Sequence, residues 1–349
     1  MDRLTRLTVI APGFRRGLSA LDTNARLPVL ERLVARGECR QQPAQEPNFQ
    51  ALESWQLDLA RVLGTQPLPS APVSAIGAGL APRDGTWLHA QFLHIAAGLD
   101  HLVLVPLRAE QALDEASLTQ LHAALAAHVR DDGYDWLSAG SAHFLHTAAQ
   151  LQIDTCAPDI ASRMPMVEAM PRGNDGARLR RLMTELQMQL HEHPLNQRRE
   201  RSGLLPANGV WLWGSGSLPP PLRSGAAPAH PCARAIRASL HIGGLGWGQV
   251  FTNDNYTRGL LQLHDQHTTP LPRDGDTLLS QAAANPLVLL HCASLEALES
   301  AWLTAFERAL IGGHIEQLEL ILDDIHISAN RWSHWRRWRR VQPLATVFA

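Results

Sequence analysis

The sequence predicts an α/β fold: a mostly parallel sheet covered by helices, interrupted by a smaller inserted α+β domain. Three observations carry this expectation. Strand-like and helix-periodic runs alternate at both ends of the chain. The middle reads strand, strand, helix, strand, strand. Two Pro/Gly-rich stretches, 66–86 and 157–176, bracket that middle. The expected division is residues 1–80 for the first part of the core, 81–170 for the insertion and 171–349 for the rest of the core.

The opening LTRLTVIAPGF is a β-rich run stopped by Pro12 and Gly13, a strand followed by a turn. LPVLERLVARG places Leu30, Leu33 and Val34 on one helical face, with Gly37 as the expected left-handed residue that ends the helix. Residues 41–50 read as loop, and ALESWQLDLARVLG returns to helical spacing. In the middle, WLHAQFLHIAAGLDHLVLVP reads as two strands about the turn AAGLD. EQALDEASLTQLHAALAAHVRDDG is an amphipathic helix ending near Gly133, and YDWLSAGSAHFLHTA gives two further strands. Leu182, Leu186 and Leu190 then share a helix face up to Pro194. GVWLWG, PLVLLH and QLELILDDIHI are strand-like, and LEALESAWLTAFERALIGG is helical.

Composition narrows the chemistry. The formal net charge is −2, which gives no general attraction to nucleic acid or anionic lipid. No run approaches the roughly 20 apolar residues of a membrane helix, and the opening apolar run is too short for a signal-peptide core. A cytoplasmic protein is the expectation. Four scattered cysteines without a CxxC pair argue against structural zinc and a disulfide framework, leaving free thiols. Every one of the 31 basic residues is Arg, so a Walker phosphate loop and any Schiff-base lysine are excluded.

The stretch LHEHPLNQRRERSGLLPANGVWLWGSGSLP carries His193, Pro194, Asn196, Arg199, Gly203, Pro206, Ala207, Asn208, Gly214 and Gly216. It resembles a segment of the archaeal-type cofactor-independent phosphoglycerate mutases. More finely, the chain resembles their bacterial offshoot, the E-type regulatory proteins of the pathogenicity-factor (Rpf) cluster. The resemblance implies an alkaline-phosphatase-like core with an inserted domain, in agreement with the boundaries above.

It also implies two divalent metals held by Asp and His, a Ser nucleophile and cationic groups on the phosphate. The residues depart from that pattern. Where the family's first strand ends in a metal-binding Asp, this chain has Ala11 and Pro12. His291 of HCASLEALES has no Asp following at the family's spacing, and the Asp-His pair of the last strand becomes LDDIHIS. Ser70 and Ser74 lie in the region of the nucleophile without a secure match, so the catalytic residues are unassigned. No cofactor is expected, with manganese or zinc as the alternative. Asp323, Asp324 and His326 are the only metal candidates, and capping a strand end with Arg partners is the competing reading.

Arg199, Arg198 and Asn208 are the anion-binding candidates, because Arg forks onto phosphate or carboxylate; internal pairing competes. GGLGWG fails the dinucleotide spacing and reads as a turn. In RWSHWRRWRR, Trp332, Trp335 and Trp338 recur every three residues, a pattern open to membrane, nucleic-acid or core-edge readings; core-edge packing is the expectation. The expected function is a catalytically degenerate, mutase-like protein with a regulatory or interaction role. The alternatives are an active metal-dependent mutase or phosphotransferase with rearranged ligands, and a module that binds a small phosphorylated metabolite. The expected partners are a phosphorylated small molecule and a protein, with neither membrane nor nucleic acid.

Overall fold

The computed structural model describes residues 3–22, 25–42, 52–97, 102–107, 113–162, 164–219, 247–283, 285–292 and 294–348. The opening run forms β1 (Leu4–Ile10), whose last four residues are all buried. An apolar run of that kind suits a strand covered on both faces. It pairs in parallel with β10 (Ile315–Leu322) on one side and β9 (Pro286–Leu289) on the other, and β9 pairs in parallel with β8 (Gln249–Phe251). The edge opposite β8 is antiparallel: β11 (Ile325–Asn330) folds back on β10, and β2 (Glu38–Gln41) pairs with β11. The sheet order is β2-β11-β10-β1-β9-β8.

Helices α1 (Phe14–Ala20), α2 (Pro28–Arg36), α3 (Ser54–Leu63) and α4 (Ser70–Gly77) follow in the first part of the chain. Pro28 sits in the first turn of α2, where no backbone donor is needed. Gly37 ends α2 in extended backbone at φ −71°, so its expected left-handed role is corrected. Its lack of a Cβ answers a close approach instead: a Cβ there would lie 2.6 Å from the Leu33 carbonyl oxygen and 2.9 Å from that of Ser328. The expected linker 66–86 also holds an element, since α4 lies inside it.

The second sheet is built on the long strand β3 (Thr86–Ala97), which pairs antiparallel with β4 (Leu102–Pro106), β6 (Ala142–Thr147) and β7 (Gly209–Gly216). β5 (Asp135–Ala139) pairs with β6. Two helices pack on this sheet, α5 (Glu115–Asp131) and α6 (Gly176–Glu192), and α7 (Pro194–Arg201) follows. Leu179, Leu182, Leu186 and Leu190 share one buried cluster with Leu88, Trp136 and Trp211. β7 and α6, which lie beyond the expected boundary at 170, thus join this second sheet and its buried cluster. The periodicity of α6 identified a helix but could not say which sheet it covers.

The chain returns to the first sheet through β8, α8 (Asn255–Gln262), α9 (Gly275–Gln281) and β9. The predicted helix 295–313 appears as α10 (Leu295–Leu298), a π-helical turn over Glu299–Leu303, and α11 (Thr304–Ile311). Glu299 of that turn is buried, and its carboxylate accepts from the Val29 and Leu30 amides at the start of α2 (3.0 and 3.1 Å). The run QLELILDDIHI is a hairpin rather than one strand, turning at Asp323, whose φ is 52°. GGLGWG and most of the Pro-rich loop before it lie outside the described residues.

Candidate functional site

Because β8, β9, β1 and β10 are parallel, their carboxyl ends share one edge of the sheet, where open α/β sheets place ligand sites. A cavity of about 410 Å³ opens there, between that edge and the second sheet. The first sheet's side supplies Trp55, Gln56, Asp254 and His291; the second supplies His89 and Trp213.

A chain of hydrogen bonds fixes His89. Glu53 and Gln56 form a reciprocal capping box at the start of α3, in which Gln56 Oε1 accepts from the Glu53 amide at 3.0 Å. The Gln56 amide is thereby oriented, and its Nε2 donates to Ser70 Oγ at 2.8 Å. The other side-chain partner of Ser70 among the described residues is His89 Nε2, at 2.9 Å. The Ser70 hydroxyl, which accepts from Gln56, can either donate to or accept from Nε2, according to the tautomer of the ring. Burial pushes the His89 pKa down to about 3, so the ring is neutral. It stacks on Trp213 with centroids 4.3 Å apart. Its Nε2–Cδ2 edge lies against Ser70 and Gly214, where a Cβ would come within 2.7 Å of Cδ2. The Nδ1 edge is turned away from these two residues. Ser70 is fully buried and acts on the imidazole, not on the cavity.

Across the cavity, Asp254 caps α8. Its Oδ1 accepts from the Thr257 amide (2.7 Å) and hydroxyl (3.0 Å), and its Oδ2 lies 3.9 Å from His291 Nε2. Burial raises the Asp254 pKa and lowers that of His291, so both are driven toward their neutral forms. Trp55 meets His291 and Tyr256 edge-on, at 5.1 and 5.9 Å. No Arg lines the cavity among the described residues. The cavity offers aromatic walls and hydrogen-bonding side chains, among them Gln56, His89 and Asp254.

The predicted site residues lie elsewhere. Asp323 accepts from the backbone amides of Gly13 (2.8 Å) and Arg15 (2.7 Å). Asp324 takes a two-pronged bond from Arg15, Nε and Nη2 each at 2.8 Å, and a third from Gln41. His326 lies on β11, 3.3 Å from the Gln42 side chain. Among the described residues, no group of three or more His, Cys, Asp or Glu side chains could hold a metal ion. Arg199 is buried and its Nε donates to the Leu205 carbonyl; Arg198 is exposed and meets Gln120. Asn208 both donates to and accepts from the Ile95 backbone, tying the start of β7 to β3. Neither Arg nor Asn208 lines the cavity.

Of the cavity residues, sequence reasoning weighed only Ser74 and His291. Glu53 and Gln56 carried a usable signal, an acidic cap followed three residues later by Gln before an apolar run. Asp254 carried another, followed by Thr257 at capping distance after the strand QVF. His89 carried none beyond a polar position in an apolar strand.

No protein-family profile matches this chain. Curated 2,3-bisphosphoglycerate-independent phosphoglycerate mutases match it locally: that of Methanothrix thermoacetophila is 44% identical over 66 residues, 18% of this chain and 17% of its own. A probable mutase of the same description from Geobacter sulfurreducens is 40% identical over 62 residues, 18% of this chain and 16% of its own. The chain shares a local segment with these mutases. The matched segments span about a sixth of those relatives. Among solved structures, the cofactor-independent phosphoglycerate mutase of Thermoplasma acidophilum aligns over 99% of this chain and 94% of its own at 16% identity, with a TM-score of 0.40.

Proposed function

We propose that this protein is a mutase relative that has given up two-metal phosphoryl transfer and works by binding, in a regulatory or interaction role. The observation that supports this reading is the occupation of Asp323 and Asp324. Two-metal catalysis needs open carboxylates that neutralise charge on the attacking and leaving oxygens. At the carboxyl edge of this sheet, both Asp323 oxygens are taken by amides and both Asp324 oxygens by the Arg15 guanidinium. An internal cation answers the negative charge, and Ala11 and Pro12 offer no ligand beside it. Manganese or zinc does not fit this donor set. The cavity is the place for a small ligand, held by hydrogen-bonding side chains and aromatic walls.

The test is a coupled assay for interconversion of 3- and 2-phosphoglycerate with added manganese, run beside elemental analysis of the purified protein. The expected outcome is no turnover above background and no stoichiometric manganese or zinc. Turnover that disappears in Asp324→Asn would overturn the reading.

A further inference from the structure

The segment after β11 is not absorbed by the cavity or by the core. It begins with a single 3₁₀ turn (Ser333–Trp335) and does not continue as a helix. Three contacts anchor it from beneath. Ser333 is buried, Arg336 donates to the Arg36 carbonyl at 3.2 Å, and Arg339 donates to the Gly37 carbonyl at 2.9 Å. These are carbonyls at the C-terminal end of α2, where cationic donors are favoured.

With Ser333 and Arg336 turned inward, the outer surface is left largely to Trp332, Trp335 and Trp338, exposed at 63, 64 and 77%. Arg331, Arg337 and Arg340 are exposed among them. The stretch 331–340 contains five Arg and no acidic residue, although the whole chain is net negative. Core-edge packing, the expected reading of this segment, holds for Ser333 and Arg336 but not for the indoles.

We propose that this face docks the protein on an anionic lipid surface. Trp is the side chain that settles at the headgroup level of a bilayer, and clustered Arg adds attraction to anionic lipid. The geometry favours lipid over single-stranded nucleic acid. The Arg331 guanidinium lies over the Trp332 ring at 4.4 Å, and that of Arg337 lies 6.0 Å from the Trp335 ring. On Trp332 and Trp335 a base stacking on the covered face would have to displace those cations, whereas a headgroup layer accepts cation and indole together. Attachment is peripheral: no helix among the described residues is long and apolar enough to cross a membrane. β11 runs antiparallel to β10, from the turn at the carboxyl edge to Asn330, so the patch lies at the opposite end of the sheet from the cavity. The cavity is left facing away from the lipid.

Vesicle co-sedimentation of the full chain tests this. Binding is expected to vesicles of about 30% phosphatidylglycerol in phosphatidylcholine, to be weak on phosphatidylcholine alone, and to fall at about 0.5 M salt. Replacing Trp332, Trp335 and Trp338 together by Ala should lower the partition coefficient about tenfold or more. Replacing Arg331, Arg337 and Arg340 by Gln should remove the preference for anionic vesicles. All six side chains are exposed, and thermal unfolding confirms that both variants remain folded. Failure to sediment with anionic vesicles would overturn the proposal. So would equal binding by the Trp variant, or retention of a single-stranded oligonucleotide with no retention of vesicles.

Discussion

At the carboxyl edge of the first sheet, Asp58 on α3 is buried beside Arg61 (2.9 Å) and near Asp323. Burial, partly offset by Arg61, pushes its pKa up to about 6. The unfolded chain releases this proton near the ordinary carboxylate value, so between about pH 4 and 6 the folded state holds more protons than the unfolded one. Stability from this group therefore falls as pH rises through that window, and above it the fold carries a buried carboxylate at a cost. Asp58→Asn should stabilise the protein by about 1–2 kcal/mol at pH 7.5 and flatten the decline between pH 4 and 6, read from urea unfolding across pH. The neighbouring Asp324 shows why such sites are hard to read from sequence. The sequence marks two adjacent acids after a strand, but its partner Arg15 is 309 residues away, and only parallel pairing of β1 with β10 brings the two together.

α4 and α8 cross beside the cavity, where Ser74 of the one helix and Asp254, which caps the other, both line it. Two glycines let their backbones touch. A Cβ on Gly77 would lie 1.9 Å from the Asn255 carbonyl oxygen, and one on Gly259 would lie 1.9 Å from that of Val73. Neither contact can be relieved by rotating a side chain, so Gly259→Ala should cost at least about 2–3 kcal/mol. It should also disturb His89 through Ser70, which the environment of the stacked Trp213 would report. Retained stability would mean that the helices can separate without loss. The sequence hid α4 inside an expected linker because Ser-Ala-Pro-Val-Ser-Ala-Ile-Gly has the composition of a loop. Its Pro72 lies in the first turn, where the missing donor costs nothing, and its small residues serve close packing. The long amphipathic helices were legible because their apolar faces repeat at the helical period without help from tertiary contacts.

The molecule has two sheets, each with its own buried cluster: Leu7, Val288 and Leu320 on a face of the first, and Leu88, Leu186 and Trp211 in the second. Apolar contact between the units includes a smaller cluster, Ala71 and Ala75 of α4 with Trp87 and Phe144, beside the Ser70–His89 hydrogen bond. Alternating patterns at both ends of the sequence predicted the parallel core, and the strand-rich middle predicted the insertion. That β7 joins the second sheet was not legible, because its pairing with β3 joins residues more than a hundred positions apart. With two cores and a narrow join, unfolding is expected to be local before it is global. Leu186 is fully buried in the second cluster, and Leu186→Ala should cost about 3 kcal/mol there. Hydrogen exchange should then show lost amide protection in β3, β6 and β7, with protection in β1, β9 and β10 kept. Equal loss in both sheets would show instead that the small Ala–Trp–Phe junction couples the two cores into one cooperative unit, and that the cavity between them opens only when the whole protein does.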